Sequence, residues 1–204
     1  GVTHITELIA ALNPKKHDFN KIIIWGSRSI LNRLDDFDWI IKVNPNELEM
    51  GLIARSLWQR FKLGESALSF NCDILLIPGG IFSSSFKPIV TMSRNMLPFE
   101  WREAWRYGLA PITLRIIILR WLQTRSFRSA NGVIFLTNYA KQQVIRVTGE
   151  LSCKKSIIPH GLNSRFLMKP SQQLPISQYS KENPFKLIYV SIIDQYKHQI
   201  HVVD

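Results

Sequence analysis

Residues 133–149 read V-I-F-L-T-N-Y-A-K-Q-Q-V-I-R-V-T-G. Val133 to Leu136 is an unbroken apolar run of strand length, and Tyr139 to Val147 carries apolar positions at helical spacing until Gly149 ends it. A fully apolar strand that passes into a helix is the building unit of a parallel sheet covered by helices. Working outward, Ser156 to Ile158 reads as the next strand, and Pro111 to about Phe127 as a long helix with proline in its first turn. Phe99 to Tyr107 reads as a shorter helix, Pro88 to Met92 as a strand, and Cys72 to Ile77 as a strand closed by Pro78-Gly79-Gly80. Glu47 to Leu63 has helical character, with Leu48, Leu52, Leu57 and Phe61 among its apolar positions. Trp39 to Val43 and Lys21 to Trp25 are short strands, the latter ending at Gly26-Ser27. Val2, Ile5, Leu8, Ile9 and Leu12 form an opening amphipathic helix that stops at Asn13-Pro14. The expected class is α/β, with a Rossmann-like parallel sheet.

Past this unit the pattern changes. Lys169 to Pro184 is rich in Ser, Gln and Pro, lacks periodicity, and reads as a linker. Phe185 to Ile193 then reads as another buried strand, followed by the start of a helix near Gln195, and the sequence stops at Asp204. The reading is a second α/β unit begun and not finished, as in an excerpt of a longer chain. The 204 residues, 46% hydrophobic and 20% charged, suffice for one full core and part of another.

Cys72 and Cys153 are far apart and have no second ligand at metal spacing, which excludes a disulfide framework and a cysteine-type zinc site. No apolar stretch approaches the ~20 residues that span a bilayer. These features fit a cytoplasmic protein. The bulk property that stands out is charge: 26 Lys and Arg against 15 Asp and Glu give +11. Such a field favours anionic partners, which include nucleic acid, phosphate-rich substrates and acidic membranes. It is concentrated between Arg102 and Arg128, where six arginines meet one acid, Glu103, and Trp101, Trp105 and Trp121 are interleaved. That segment reads either as peripheral docking on an anionic membrane at its inner face or as a solvated face with buried tryptophans; Arg115 points away from Arg120, Arg125 and Arg128 on a helix.

Chemistry-bearing residues gather after strands. Gly79 and Gly80 stand where ligands collect in open α/β sheets, and also where a tight turn needs glycine. Arg94 and Asn95 follow Pro88 to Met92, with Glu100 just beyond; a guanidinium and an amide there suit a sugar hydroxyl or a phosphate oxygen, or cap the next helix. His160, Gly161 and Asn163 follow Ser156 to Ile158. Asp36-Phe37-Asp38 has the spacing of a cation site but precedes a strand, which favours a solvated turn, and His198 with His201 has no third metal ligand nearby. Neither GxGxxG nor a P-loop occurs.

Gly1 before an amphipathic helix, Val133-Ile-Phe-Leu-Thr137-Asn-Tyr-Ala-Lys141, Ile157-Ile-Pro-His-Gly-Leu-Asn163 with Phe166, and Leu187-Ile-Tyr-Val-Ser191 with Lys197 together resemble the retaining glycosyltransferases of family 4, or group 1. The resemblance runs in register along essentially the whole chain. It implies the GT-B fold, two Rossmann-like domains across a cleft: residues 1–168 as the acceptor-side domain without its first strand, 169–184 as linker, and 185–204 as the beginning of the nucleotide-sugar domain. It implies no cofactor, a nucleotide-diphosphate sugar as donor and a saccharide or lipid-linked hydroxyl as acceptor. Gly1 matches the loop facing the donor phosphates, and Lys197 the lysine that binds the leaving diphosphate. Arg94-Asn95 stands where many members have His-Asp and takes the catalytic place, while Gly79, Gly80, Glu100, His160, Gly161 and Asn163 line the cleft. The chain departs from the family at Ile192, where an arginine is usual, and the Glu-x7-Glu motif would lie beyond Asp204. The rival readings are a nucleotide-sugar epimerase of the same fold and a basic nucleic-acid-binding module, although no aromatic-rich basic recognition motif is present.

Overall fold

The computed structural model describes residues 2–203. The chain opens with α1 (Val2–Ala11) and a single turn, α2 (Pro14–His17), whose start is capped by the Asn13 carboxamide accepting the Lys16 amide. β1 (Ile22–Trp25), α3 (Arg28–Leu31) and β2 (Ile40–Val43) follow, and β1 and β2 form a two-stranded parallel sheet. Ile9 of α1 packs with Leu31 and Leu34 over Ile22, Ile24 and Ile40, which is the face predicted by the spacing of α1.

The helical segment expected over Glu47 to Leu63 is divided. A 3-10 turn at Asn46–Leu48 precedes α4 (Leu52–Phe61), which abuts α5 (Leu63–Ser69). Of the segment's apolar positions, Leu52 (81% exposed), Leu57 and Phe61 point outward, Leu48 packs against the core, and Trp58 is the buried anchor of α4. Gly51 interrupts the periodic run, so α4 starts afresh from Gly51 and turns its Trp58 side inward. Trp58, Leu63 and Ala67 then pack on Leu75 and Ile89.

β3 (Leu75–Ile77), β4 (Ile89–Ser93), β5 (Gly132–Phe135) and β6 (Lys154–Ile157) form a four-stranded parallel sheet in sequence order. The connection from β4 to β5 carries α6 (Trp101–Ala104) and the long α7 (Pro111–Ser129), with Pro111 in its first turn. The connection from β5 to β6 is α8 (Asn138–Thr148), started by Thr137 accepting the Ala140 amide and ended at Gly149, φ 72°. The register pairs Leu75 with Ile89, Thr91 with Val133, and Ser93 with Phe135. Paired residues of parallel strands share a face, and this is the face that buries: Phe99, Phe127, Val144 and Leu151 close over Val133 and Phe135. The opposite face carries Leu76, Val90 and Ile134, none of which is fully buried, together with Met92, which is. Asn131 pins the register, because its side chain accepts the Ile89 amide at 3.0 Å while its own amide donates to Ile89 O at 2.8 Å.

The two sheets do not join by strand pairing. β1 and β3 are each paired on one side, and a cavity of about 1320 Å3 lies against both, lined by Ile22, Ile24, Leu75 and Ile77 and by Ile5 and Ile9 of α1. The Trp25 indole donates to the Ser66 hydroxyl at 2.9 Å and so ties the smaller sheet to α5.

Beyond β6, among the described residues, the chain holds 3-10 turns at Ser164–Phe166, Ile176–Gln178 and Gln195–Lys197, and then α9 (Ile200–Val203). Residues 169–184 hold one of these turns, Ile176–Gln178. The strand expected at Phe185 to Ile193 is not formed: no ladder pairs it among the described residues, and Leu187, Ile188, Val190 and Ile193 are exposed. A strand is stabilised by neighbours that take its backbone groups and cover its side chains, and this segment has neither.

Gly79 and Gly80 are adjacent yet physically different. Gly80 has φ 75°, and a Cβ there would stand 3.1 Å from Met92 O, whereas a Cβ at Gly79 meets nothing within 4 Å. Gly80→Ala is therefore expected to lower the unfolding free energy by about 2 kcal/mol, and Gly79→Ala to change it by no more than about 0.5 kcal/mol. Urea unfolding midpoints of the two variants check this; equal midpoints would contradict it.

Candidate functional site

In the four-stranded sheet every strand runs the same way, so all carboxyl ends open onto one edge. Arg94 leaves the end of β4, and His160 follows β6. The amino-terminal turn of α1 reaches the same edge. The His4 ring meets the His160 ring edge-on, with centroids 4.7 Å apart. One turn further, Glu7 Oε1 accepts from Asn163 Nδ2 at 3.2 Å, and Asn163 Oδ1 accepts the Arg165 amide at 3.1 Å. Three segments remote in sequence thus converge: α1, the exit of β4 and the exit of β6.

The electrostatics of the cluster are one-sided. Burial first, and then the neighbouring His160 and Arg94, hold the His4 imidazole below its usual 6.5. His4 is therefore neutral near pH 7 and offers a ring nitrogen as acceptor beside the Arg94 guanidinium. Arg94 is half-buried and finds no hydrogen-bond or ion-pair partner among the described residues. Arg94, Gly79 and Val2 also line one end of the cavity between the sheets. Immediately before Arg94, the Ser93 hydroxyl is buried without a partner. An anion or a polyol at this edge would meet a free guanidinium, a neutral imidazole and a second imidazole at the rim.

The remaining candidates take different places. Asn95 Oδ1 accepts the Leu97 amide at 3.2 Å, which is the helix-entry role, and leaves its NH2 group outward. Gly80 is buried against β4 and α7, so its glycine serves packing, while Gly79 is open to the cavity. Glu100 accepts the Tyr139 hydroxyl, a bond that raises the Tyr139 pKa and ties the start of α8 to the turn before α6. Gly161 is exposed, with nothing within 4 Å of a Cβ. Lys197 is not part of the cluster: its ammonium lies 4.7 Å over the Tyr196 ring, on a segment fastened to α6 and its following turn by Tyr107 with Asp194 and by Glu103 with His198. Gly1 lies outside the described residues. Asp36 pairs with Lys42 at 2.6 Å, in keeping with a solvated turn. Among the described residues no group of three His, Cys, Asp or Glu is placed to hold a metal ion.

Sequence reading missed His4 and Glu7. They lie on the polar side of α1, and helical spacing was used there only to find the side facing the core. It also missed a clamp after β1 and β2, where Glu49 accepts the Arg28 amide at 2.6 Å and Asn44 at 2.7 Å, and Asn44 donates to Gly26 O. These bonds depress the Glu49 pKa, the Arg28 amide foremost.

Compared with protein-family models, with curated proteins and with solved structures, the chain finds no match.

Because the folded pKa of His4 is lowered, the unfolded chain binds the extra proton more readily. Its contribution to stability is complete above pH 6.5 and is lost as the pH falls from there through the depressed folded value. The His4 ring-proton resonance is expected to titrate below 6.5 and to move upward, though not fully, in Arg94→Gln. An unchanged midpoint in that variant would remove Arg94 from the cluster.

Proposed function

We propose that this chain is the acceptor-side domain and hinge of a two-domain glycosyltransferase, moving a sugar from a nucleotide-diphosphate sugar to a hydroxyl acceptor with retention. The motif resemblance to family 4 supports this reading, and the observation that carries it is the convergence of Arg94, His4 and His160 at the carboxyl edge. Negative charge develops on the departing diphosphate, and preorganised cationic donors at a partly buried site stabilise it more than water does. Arg94 supplies such a donor without having to break a bond to the protein. The neutral His4 ring accepts a hydrogen bond from a substrate hydroxyl, which an imidazolium would refuse. Asn163 couples the α1 turn carrying Glu7 to the chain leaving for the donor side, where Lys197 meets the diphosphate once both domains face each other.

The test uses the enzyme with its donor-side domain and a panel of nucleotide-diphosphate sugars, following nucleoside diphosphate and glycosylated product by mass spectrometry. Arg94→Ala is expected to lower kcat/KM by about 10- to 100-fold, a lost charge-assisted contact, with the melting temperature nearly unchanged. Release of free epimerised sugar without transfer would assign the epimerase reaction instead, and full activity of Arg94→Ala would sink the role given to the guanidinium.

A further inference from the structure

The long helix α7 turns apolar side chains away from the core as well as toward it. Thr113, Ile116, Gln123 and Phe127 face the core, and Phe127 is fully buried. The opposite side carries Leu114, Ile117, Ile118 and Trp121, spaced i, i+3, i+4 and i+7, and all four are exposed, Trp121 at 61%. A water-soluble helix normally turns charge to that side. Beside this stripe stand Trp101 and Trp105, also exposed, packed edge to face at 5.4 Å, and Leu109 at the preceding bend is 95% exposed. The tryptophans are thus outside, which overturns the reading of a solvated face with buried indoles.

Arginine frames the apolar area. The Arg120 guanidinium lies 5.3 Å over Trp101, and that of Arg125 lies 5.9 Å over Trp121. Arg102 and Arg115 are exposed nearby. The one acid of the segment, Glu103, is already engaged by Arg106 at 2.9 Å and His198 at 3.1 Å, so the frame keeps its positive charge.

We infer that this face docks the protein on an anionic lipid bilayer, with Trp121, Ile118, Ile117 and Leu114 in the interfacial layer and the exposed Arg102, Arg115 and Arg125 at the headgroup phosphates. A bilayer surface combines an apolar layer with a negative plane a few ångströms above it, which matches an apolar centre rimmed by stacked Trp and Arg. A protein partner would have to supply several unpaired acids around an apolar hollow to match the same pattern. The inference stands independently of the sugar-transfer reading, because it uses none of the residues at the sheet edge.

Vesicle flotation tests it, since self-associated protein sinks while lipid-bound protein rises. The chain is expected to float with phosphatidylglycerol-containing vesicles at low salt, to be released as salt screens the headgroups, and to stay below with phosphatidylcholine alone. Arg115→Gln with Arg125→Gln is expected to lower the partition coefficient about 30-fold, two arginines' share of attraction to an acidic surface. Trp105→Ser with Trp121→Ser should abolish flotation at an unchanged melting temperature, as neither residue belongs to a core cluster. Equal flotation with both lipids, absence of flotation, or wild-type binding by the two double variants would overturn the inference. So would a stable dimer of the chain that Trp121→Ser converts to monomer, which would make the face a contact between copies.

Discussion

Parallel strands cannot hide their backbones or side chains alone, and in this protein a single buried sheet face organises the rest. Leu75, Ile89, Thr91, Val133 and Phe135 share it through the pairing register. A shift of one residue in β5 would bring Ile134 inward and expel Val133 and Phe135, so Asn131, at the foot of the strand, guards the whole core. The same register aligns the strand exits. Residues as distant as 79, 94 and 160 meet at one rim because their strands end there together, which is how a packing constraint becomes a site.

Most of the architecture was legible in the sequence because parallel strands are apolar on both sides and stop at turn residues. The strands from Ile22, Ile40, Ile89 and Gly132 stand within a residue or so of where apolar runs place them. Local pattern says nothing of what lies opposite, and two details turn on that. The helical segment from Glu47 to Leu63 breaks at Gly51, and the side it buries is that of Trp58, which packs on the sheet, while Leu52 and Phe61 stay exposed. Phe185 to Ile193 has strand composition and lacks a partner. The site was half legible. Arg94 and His160 were visible as residues following strands, whereas His4 and Glu7 enter only through the way α1 lies across the sheet.

The rim of the sheet is electrostatically costly. Burial, and then the neighbouring His160 and Arg94, oppose protonation of His4. Folding gains nothing from burying an imidazole beside a guanidinium that opposes its protonation, so their convergence is the kind of local conflict that marks a binding edge. Glu7 stands close by and spends its carboxylate on Asn163, holding the loop and leaving the rim positive.

The unpaired run Leu187-Ile-Tyr-Val-Ser-Ile-Ile193 bears on how the chain behaves in company. It has seven residues, no charge, no proline and four β-branched aliphatic side chains. Such a segment, open along its backbone, templates hydrogen bonding with an identical segment of another molecule. Concentrated solutions of these 204 residues would accordingly drift toward cross-β association. Lys186 and Asp194 at its two ends are the flanking charges that slow this, and a lysine or proline within the run would break the pattern.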